Sequence, residues 1–280
     1  MNCAWEALIA ILPQYLRAEE AGWDRENLQE IRLRLNQPAE LVFGHGSLWA
    51  GESCSREELN FVVNAASRYS PWAATTAAQG YVTAPGGHRI GICGTCASYQ
   101  GEVNGVRQVS SLCIRVAKDI SGIGRGVPNV GSVLILGPPG SGKTTLLRDI
   151  IRSRSDTGPG SIAVVDERGE LFPPEADFPK GKRTDVITGC TKRQGIDAVL
   201  RTMGPSTIAV DEITSQEDCE ALFQAGWCGV SLLATAHAFS AEDLYKRGVY
   251  KPLVEQKLFD TLLVMNRDKT WKQERGPRWL

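Results

Sequence analysis

Uninterrupted apolar runs mark the second half of the chain and predict strands that are buried on both faces. These runs lie at 133–136, 162–165, 207–210 and 231–235, with a further one inside 260–268. Apolar residues at helical spacing follow the first run, at Leu146, Leu147, Ile150 and Ile151. Because strands that alternate with helices are typical of a parallel sheet, the pattern predicts an α/β domain over residues 132–280.

The first part of the chain shows a different pattern, in which apolar and polar positions alternate as they do in half-buried strands. In the segment EIRLRLNQP, Ile31, Leu33 and Leu35 alternate with arginines. Residues 41–43 form a second apolar segment that is expected to pair with this strand.

A helix and further strands complete this part. Ser55 and Glu58 stand three residues apart ahead of an apolar helical face, which is the spacing of a capping box. Short strands are predicted on both sides of a turn signal at residues 85–87, and residues 105–117 are typical of either a strand pair or one long strand. Residues 1–118 are therefore predicted to form a smaller α+β domain.

The segment DISGIGRGVPNVG, residues 119–131, is rich in glycine and carries a proline. Such a composition predicts a linker or hinge. A length of 280 residues fits the two domains on either side of it.

The charge balance argues against a dedicated nucleic-acid-binding protein. Lysine and arginine number 31 against 32 acidic residues, a formal net charge of −1, whereas such proteins usually show a basic excess. No apolar stretch reaches the length of a membrane span, and the N-terminus carries Glu6 and lacks the basic start of a signal peptide. We therefore expect no transmembrane segment.

The N-terminal residues predict an amphipathic helix, since Trp5, Leu8, Ile9 and Leu12 follow helical spacing. Packing against the core or a partner is the favoured role. Attachment to a membrane surface is the alternative, but the basic face that such helices use is missing.

The chain contains eight cysteines, which are expected to be free thiols in a protein of this length without a signal peptide. Cys93 and Cys96 form the single C-x-x-C pair. A zinc site would need two more ligands, for which His88 and Cys113 are the candidates. Buried thiols on a hairpin are the favoured interpretation.

The strand at 133–136 ends in GPPGSGKT, which matches the phosphate-binding pattern G-x-x-x-x-G-K-[ST] at every fixed position. In such a loop backbone N–H groups surround the phosphates, Lys143 reaches the β- and γ-phosphates, and the Thr144 hydroxyl binds Mg²⁺. The sequence therefore predicts an ATP–Mg²⁺ site. Its nucleotide-binding residues are Gly137, Pro138, Pro139, Gly140, Ser141, Gly142, Lys143, Thr144 and Thr145.

Other strands also end in residues suited to chemistry, at the sheet edge where α/β proteins bind ligands. Asp211 follows an apolar run and is the expected Mg²⁺ partner, and the adjacent Glu212 is a candidate general base for hydrolysis. Asp166 and Glu167 form a second acidic cluster at a strand end, and His237 follows the run at 231–235.

These segments occur in an order that resembles the stage III sporulation protein AA family of spore-forming bacteria, which is related to type II and type IV secretion ATPases. The resemblance extends from about Glu30 to the C-terminus. The segments that carry it are EIRLRLNQP, NAASRYS, QGYVTAPGGHRIGICG, VSSLCIRVAKDI, GPPGSGKTTLLRDI, VVDERGEL, RTDVITGC, VDEI and TAHA.

The resemblance implies roles for the residues at the strand ends. Secretion ATPases carry a phosphate loop, an Asp box, a second acidic box and a His box in this order. Asp166 and Glu167 would fall in the Asp box, Asp211 and Glu212 in the second acidic box, and His237 in the His box.

The resemblance also implies an architecture and partners. The family fold is an α+β domain hinged to a RecA-like P-loop ATPase domain, assembled as a homohexameric ring that acts with the membrane proteins of a secretion-like channel between mother cell and forespore. Arginines of the N-terminal domain reach the nucleotide in related ATPases, for which Arg89 and Arg115 are the candidates. One departure is the presence of Phe172 and Phe178 where a more polar loop is expected.

The sequence thus predicts a Mg-ATP-dependent ATPase motor. A nucleic-acid-associated P-loop ATPase is the first alternative, with a small-molecule kinase and a nucleotide-dependent scaffold behind it. The basic residues that would serve nucleic-acid binding are Arg32, Arg34, Lys182, Arg183, Lys192 and Arg193.

Overall fold

The computed structural model describes residues 3–68, 80–99 and 102–275. Residues 69–70 of the NAASRYS segment, and Gln79, lie outside the described residues. The chain divides into two compact units, which consist of Met1–Asp119 with Pro173–Asp177, and of Ile120–Phe172 with Phe178–Leu280.

The first unit is an antiparallel sheet with helices, whose strand order within the described residues is β3-β2-β1-β6-β5-β4. Its helices are α1 (Trp5–Ile11), α2 (Gln14–Glu19) and α3 (Arg56–Ala66), with short 3₁₀ turns at Glu20–Gly22 and Pro85–Gly87. Its strands are β1 (Leu28–Arg34), β2 (Ala39–Phe43), β3 (Gly46–Ala50), β4 (Tyr81–Thr83), β5 (Arg89–Tyr99) and β6 (Glu102–Arg115).

One face of this sheet forms the core of the first unit. Ile31 of β1 lies opposite Leu41 of β2 and Ile114 of β6, and all three side chains are buried. The alternating arginines of β1 point to the other face, as period-two alternation requires. Helix α3 begins with the capping box of Ser55 and Glu58. The half-buried strand, its pairing with residues 41–43 and the capped helix are thus confirmed.

The hairpin of β5 and β6 extends beyond its neighbours in the sheet. Strand β4 pairs with β5 only as far as Gly91, and β1 pairs with β6 only from Ser111 onward. Cys93 and Cys96 lie at or beyond these limits and are exposed. The prediction that they are buried thiols is wrong, because none of the strands in the described residues covers this part of the hairpin.

The second unit is a sheet with the order β13-β12-β7-β11-β10-β8-β9 across the described residues. The helices are α4 (Lys143–Thr157), α5 (Lys192–Thr202), α6 (Gln216–Trp227), α7 (Ala241–Lys246) and α8 (Lys251–Glu255). The strands are β7 (Val133–Leu136), β8 (Ile162–Asp166), β9 (Thr184–Thr188), β10 (Thr207–Glu212), β11 (Ser231–Ala236), β12 (Thr261–Met265) and β13 (Trp271–Arg275). In the described part of the chain, no helix is long and apolar enough to cross a bilayer.

The apolar runs account for the centre of this sheet. All residues of β7, β8 and β12 are buried, and every strand pair from β12 to β9 is parallel, while β13 adds an antiparallel edge. Parallel strands align their carboxyl ends on one edge. Since β11 lies between β7 and β10, the residues that follow these three strands are brought together there.

The glycine-rich segment that precedes β7 is held against helix α4 over most of its length. The buried Asp149 carboxylate accepts hydrogen bonds from the backbone N–H groups of Gly122 (3.0 Å) and Gly124 (2.7 Å). Arg152 donates to the same carboxylate at 2.6 Å and to the carbonyl of Ile120 at 3.3 Å. These bonds leave the segment less freedom than its glycine content suggests.

A second buried side chain of α4 holds the rest of this segment. The Arg154 guanidinium donates to the carbonyl oxygens of Pro128 and Gly131, at 2.7 and 2.8 Å. Burial lowers the pKa of Arg154 to about 10, against the opposing charge of Asp260. The role of residues 119–131 as a hinge between domains stays a prediction.

We expect Asp149→Ala to lower the free energy of unfolding by about 1–3 kcal/mol, because buried donors lose their acceptor. Burial raises the Asp149 pKa, but hydrogen bonds from Arg152, Gly124 and Gly122 outweigh it, so the pKa lies below 3.8. A carboxylate whose pKa is lowered by folding stabilises the folded state at pH values above its pKa in the unfolded chain. That stabilisation is lost as the pH falls through its pKa in the folded state. Urea unfolding at pH 7 and at pH 3 should therefore show a smaller difference between variant and wild type at pH 3.

The matched control for this variant is Ser153→Ala, at an exposed position of the same helix. It should leave the unfolding curve unchanged. Equal stability of Asp149→Ala and wild type at pH 7 would contradict the assigned role of the carboxylate.

Candidate nucleotide site

The loop that matches the phosphate-binding pattern lies between β7 and α4, both of which were predicted. Gly140 and Gly142 have φ values of +75° and +94°, a region that side chains other than glycine rarely adopt. Helix α4 begins at Lys143, directly after the loop. Its N-terminus therefore faces the space that the loop surrounds, which favours an anion there.

Lys143 is buried and turned onto its own loop. Its ammonium donates to the carbonyl oxygens of Gly137 and Pro138, both at 3.0 Å, and to Nδ1 of His237 at 3.0 Å. Burial lowers the pKa of this ammonium, while the carboxylates of Glu212 and Asp211 act in the opposite direction. A polyphosphate would offer these donors better acceptors than carbonyl oxygens.

His237 links the loop lysine to the candidate base. Because an ammonium can only donate, Nδ1 of His237 must accept from Lys143. The ring proton then lies on Nε2, which is 2.9 Å from Oε1 of Glu212 and donates to it. The ring of His237 thus connects Lys143 with Glu212. Lys143 follows β7, His237 follows β11, and Glu212 ends β10.

Asp211 lies beside the loop and is bonded by two threonines. Its Oδ1 accepts from the hydroxyl of Thr144 at 3.3 Å and from that of Thr235 at 3.4 Å. Burial, followed by the charges of Asp166 and Glu212, raises the Asp211 pKa to about 6. A nearby cation would relieve this repulsion.

The oxygen donors at this position fit Mg²⁺. This ion prefers hard oxygen ligands and is usually held by one or two protein groups together with phosphate oxygens and water. The hydroxyl of Thr144 and the carboxylate of Asp211 would supply the protein ligands. When bound, Mg²⁺ would neutralise phosphate charge, while the loop and Lys143 bind and orient the nucleotide.

Asp166 holds together the loop that follows it, and it also lines the cleft that Asp211 and Glu212 line. Its buried carboxylate accepts from the backbone N–H groups of Glu170, Leu171 and Phe172, at 2.8–2.9 Å. Burial raises its pKa, although these bonds oppose the shift. Both carboxylate oxygens accept from backbone N–H groups, so Asp166 positions this loop. Its predicted catalytic role stays a prediction.

The loop after Asp166 owes its conformation to apolar burial. Phe172 and Phe178, the departure noted in the sequence, are both buried. The guanidinium of Arg148 stacks over the ring of Phe178 at 4.5 Å and donates to the carbonyl of Leu171. These contacts explain why aromatic residues occupy a loop that was expected to be polar.

Glu167 lies in a solvent-open cleft of about 310 Å³, beside Asp211 and Glu212. Its Oε2 accepts from the ammonium of Lys192 at 2.7 Å. Lys192 was expected to belong to a basic surface, yet its side chain is only 6% exposed. The sequence did hold one sign of this role: Lys192 is the first residue of a capped helix, where a positive charge is unfavourable unless carboxylates lie nearby.

Arg89 and Arg115 belong to the first unit. They lie directly opposite each other on β5 and β6. Arg89 stacks over the ring of Tyr81 at 4.2 Å, and Nε of Arg115 lies 3.7 Å from Oε1 of Glu30. Their proposed contact with nucleotide stays a prediction.

Solved structures of two ATPases share this fold. The X-ray structure of the ATPase DotB of Legionella pneumophila aligns with a TM-score of 0.58 and 19% identity, and the alignment covers 89% of this chain and 76% of that one. The crystal structure of the pilus retraction motor PilT with bound ADP aligns with a TM-score of 0.59 and 15% identity, over 85% of this chain and 74% of that one. The expected RecA-like α/β fold with a smaller N-terminal α+β domain is confirmed.

Sequence comparison defines the family. Stage III sporulation protein AA of Bacillus subtilis (strain 168) is 36% identical over 257 residues, which is 86% of this chain and 83% of that protein. The family model for sporulation stage III, protein AA, matches residues 5–276. The resemblance noted in the sequence is therefore confirmed, and the chain belongs to the sporulation stage III protein AA family.

Proposed function

We propose that this chain is a Mg-ATP-dependent ATPase motor. The observation that carries the proposal is the convergence of Lys143, His237 and Glu212 at the carboxyl ends of three adjacent strands. In this proposal a phosphate-binding cation, a carboxylate base and an oxygen-ligand site for Mg²⁺ would surround one loop. The names of the ATPase DotB and the motor PilT, which share the fold, agree with it.

Each residue has a defined task in this proposal. The backbone of the loop and Lys143 bind the phosphates, and Thr144 and Asp211 hold Mg²⁺. Glu212 accepts a proton from the attacking water, a step for which a carboxylate base suits hydrolysis. ATP binding draws Lys143 away from Nδ1 of His237, which leaves that nitrogen free to accept a hydrogen bond from water.

The motor is proposed to work as a homohexameric ring in the cytoplasm. Its partners would be the membrane proteins of a secretion-like channel between mother cell and forespore, to which the ring is peripheral. Family membership and the lack of a bilayer-spanning helix in the described residues support this arrangement. Hydrolysis would drive rigid-body motion of the partner through movement between domains.

Four of the six basic residues that suggested a nucleic-acid-associated ATPase are already engaged within the chain. Arg32 and Arg34 are each paired with a carboxylate at 2.7 Å. Arg183 donates to backbone carbonyls, and Lys192 is buried against Glu167. Cations that are already paired release fewer counterions on binding a phosphate backbone, so they contribute little affinity.

We expect Lys143→Ala to weaken ATP binding by roughly 10- to 100-fold, since charge-assisted hydrogen bonds contribute about 1.5–3 kcal/mol. Titration with a fluorescent ATP analogue in Mg²⁺ measures this directly, and phosphate release measures turnover. The control is Lys182→Ala, at an exposed position of the same unit. Unchanged ATP affinity in Lys143→Ala, with a thermal unfolding curve like that of wild type, would overturn the proposed site.

A further inference from the structure

Lys192 is a buried cation that joins two parts of the candidate site. Its ammonium lies 2.7 Å from Oε2 of Glu167 and 3.5 Å from Oδ2 of Asp218. Glu167 follows β8, and Asp218 lies in the first turn of α6. The lysine also lines the cleft that Asp211 and Glu212 line.

Asp218 in turn holds the turn that follows Glu212. Its Oδ2 accepts from the backbone N–H groups of Thr214 at 2.8 Å and Ser215 at 3.2 Å, and from the Thr214 hydroxyl at 3.1 Å. Thr214 is two residues beyond the candidate base. A change in the position of Asp218 would therefore shift the backbone of Thr214 and Ser215, and with it the position of Glu212.

Without the carboxylates of Glu167 and Asp218, the location of Lys192 would be unfavourable for a cation. It is the first residue of α5, whose N-cap is Thr191, and a helix N-terminus repels positive charge. Its side chain is also only 6% exposed, so the ammonium has lost most of its hydration. Two carboxylates on separate elements compensate for both effects, which ties those elements to one point.

We infer that Lys192 is a positioning residue for hydrolysis, which fixes Glu167 and, through Asp218, the backbone that carries Glu212. The inference rests on the proposed ATPase function. Lys192 does not touch the loop that binds phosphate, so its role concerns the chemical step and not the binding of ATP. Misplacement of a reacting group by about 1 Å is enough to lower a rate roughly a hundredfold.

The test uses the full chain with Lys192→Met, which keeps the length of the side chain and removes its charge. We expect one ATP-analogue site per chain with an affinity within about threefold of wild type, and a kcat lowered by roughly 10- to 100-fold. The unchanged number of binding sites separates a positioning defect from a loss of folded protein. The matched control is Arg193→Met, the next residue of α5, whose side chain is 53% exposed; it should match wild type.

A double variant tests whether the lysine acts through Glu167. If it does, Lys192→Met combined with Glu167→Gln should turn over about as fast as the slower single variant, because coupled residues are not additive. The double variant also lacks the Glu167 carboxylate that Lys192→Met alone leaves without its cation, so it serves where Lys192→Met alone does not fold. Additive losses would overturn the coupling to Glu167.

Two further outcomes are distinct from each other. If the wild-type chain hydrolyses ATP and Lys192→Met has the same kcat, the role of Lys192 is overturned and the proposed ATPase function stands. A wild-type chain that binds and hydrolyses no ATP would overturn the proposed function, and the role of Lys192 with it.

Discussion

Glu212→Gln should bind ATP as wild type does and hydrolyse it at least about a hundredfold more slowly, within the range of 10²–10⁴ that general base catalysis contributes. The substitution keeps the shape of the side chain and removes its proton affinity. Since Glu212 does not touch the phosphate loop, its neutral form should leave the nucleotide in place.

The environment of Glu212 supports this expectation. The Nε2–H of His237 donates to one carboxylate oxygen at 2.9 Å, which fixes the side chain and leaves the second oxygen for water. Glutamine at this position can still accept the bond through its amide oxygen. The variant therefore removes the base without disturbing His237 or Lys143.

The measurement is steady-state phosphate release at saturating ATP, together with titration of a fluorescent analogue. Glu217→Gln, an exposed residue in the first turn of α6, is the matched control and should keep full turnover. If Glu212→Gln retains turnover within a few-fold of wild type, the base is another group. Glu167 is then the next residue to replace.

The centre of the fold was predictable because burial leaves a direct signature in the sequence. Strands β7, β8 and β12 are buried throughout and each contains a run of at least four apolar residues, so each was identified from its run alone. The edge strands β3 and β9 carry no such signature. The residues of β3 are largely exposed, and those of β9 are either half-buried or exposed. Both were missed because an edge strand has only one neighbour and needs no apolar face.

The candidate site was predictable one strand at a time, but its connections were not. Each acidic residue was identified from its position after an apolar run. The bond between Lys143 and His237 depends on β11 lying between β7 and β10, an order that no local pattern encodes. Asp166 and Glu167 are adjacent and chemically alike, and only the fold of the following loop decides that Asp166 accepts its backbone N–H groups.

Arg115→Ala should lower ATP turnover by roughly a thousandfold if this arginine meets the γ-phosphate of a neighbouring subunit, which is the scale of an arginine supplied in trans. A P-loop domain by itself leaves one side of the triphosphate open. A cation from a second subunit would complete the site and stabilise the charge that develops on the transferred phosphoryl group.

The local structure of Arg115 suits such a role. Its side chain is 67% exposed, and it lies opposite Arg89 across β5 and β6. Like charges in register on neighbouring strands repel each other, and the carboxylate of Glu30 lies 3.7 Å from Nε of Arg115. A bound anion would add a favourable interaction with the exposed guanidinium of Arg115.

Mixing two inactive variants separates a trans arginine from a residue that acts within its own chain. Arg115→Ala has an intact phosphate loop, and Lys143→Ala has an intact arginine, so a mixed ring contains some sites with both. Steady-state turnover should therefore recover over a range of mixing ratios, at a protein concentration where the chains assemble. Arg107→Ala, an exposed position on the same strand, should be active alone. If co-assembly is demonstrated and no ratio restores turnover, Arg115 does not act in trans, and its bond to Glu30 makes it a structural residue of the sheet.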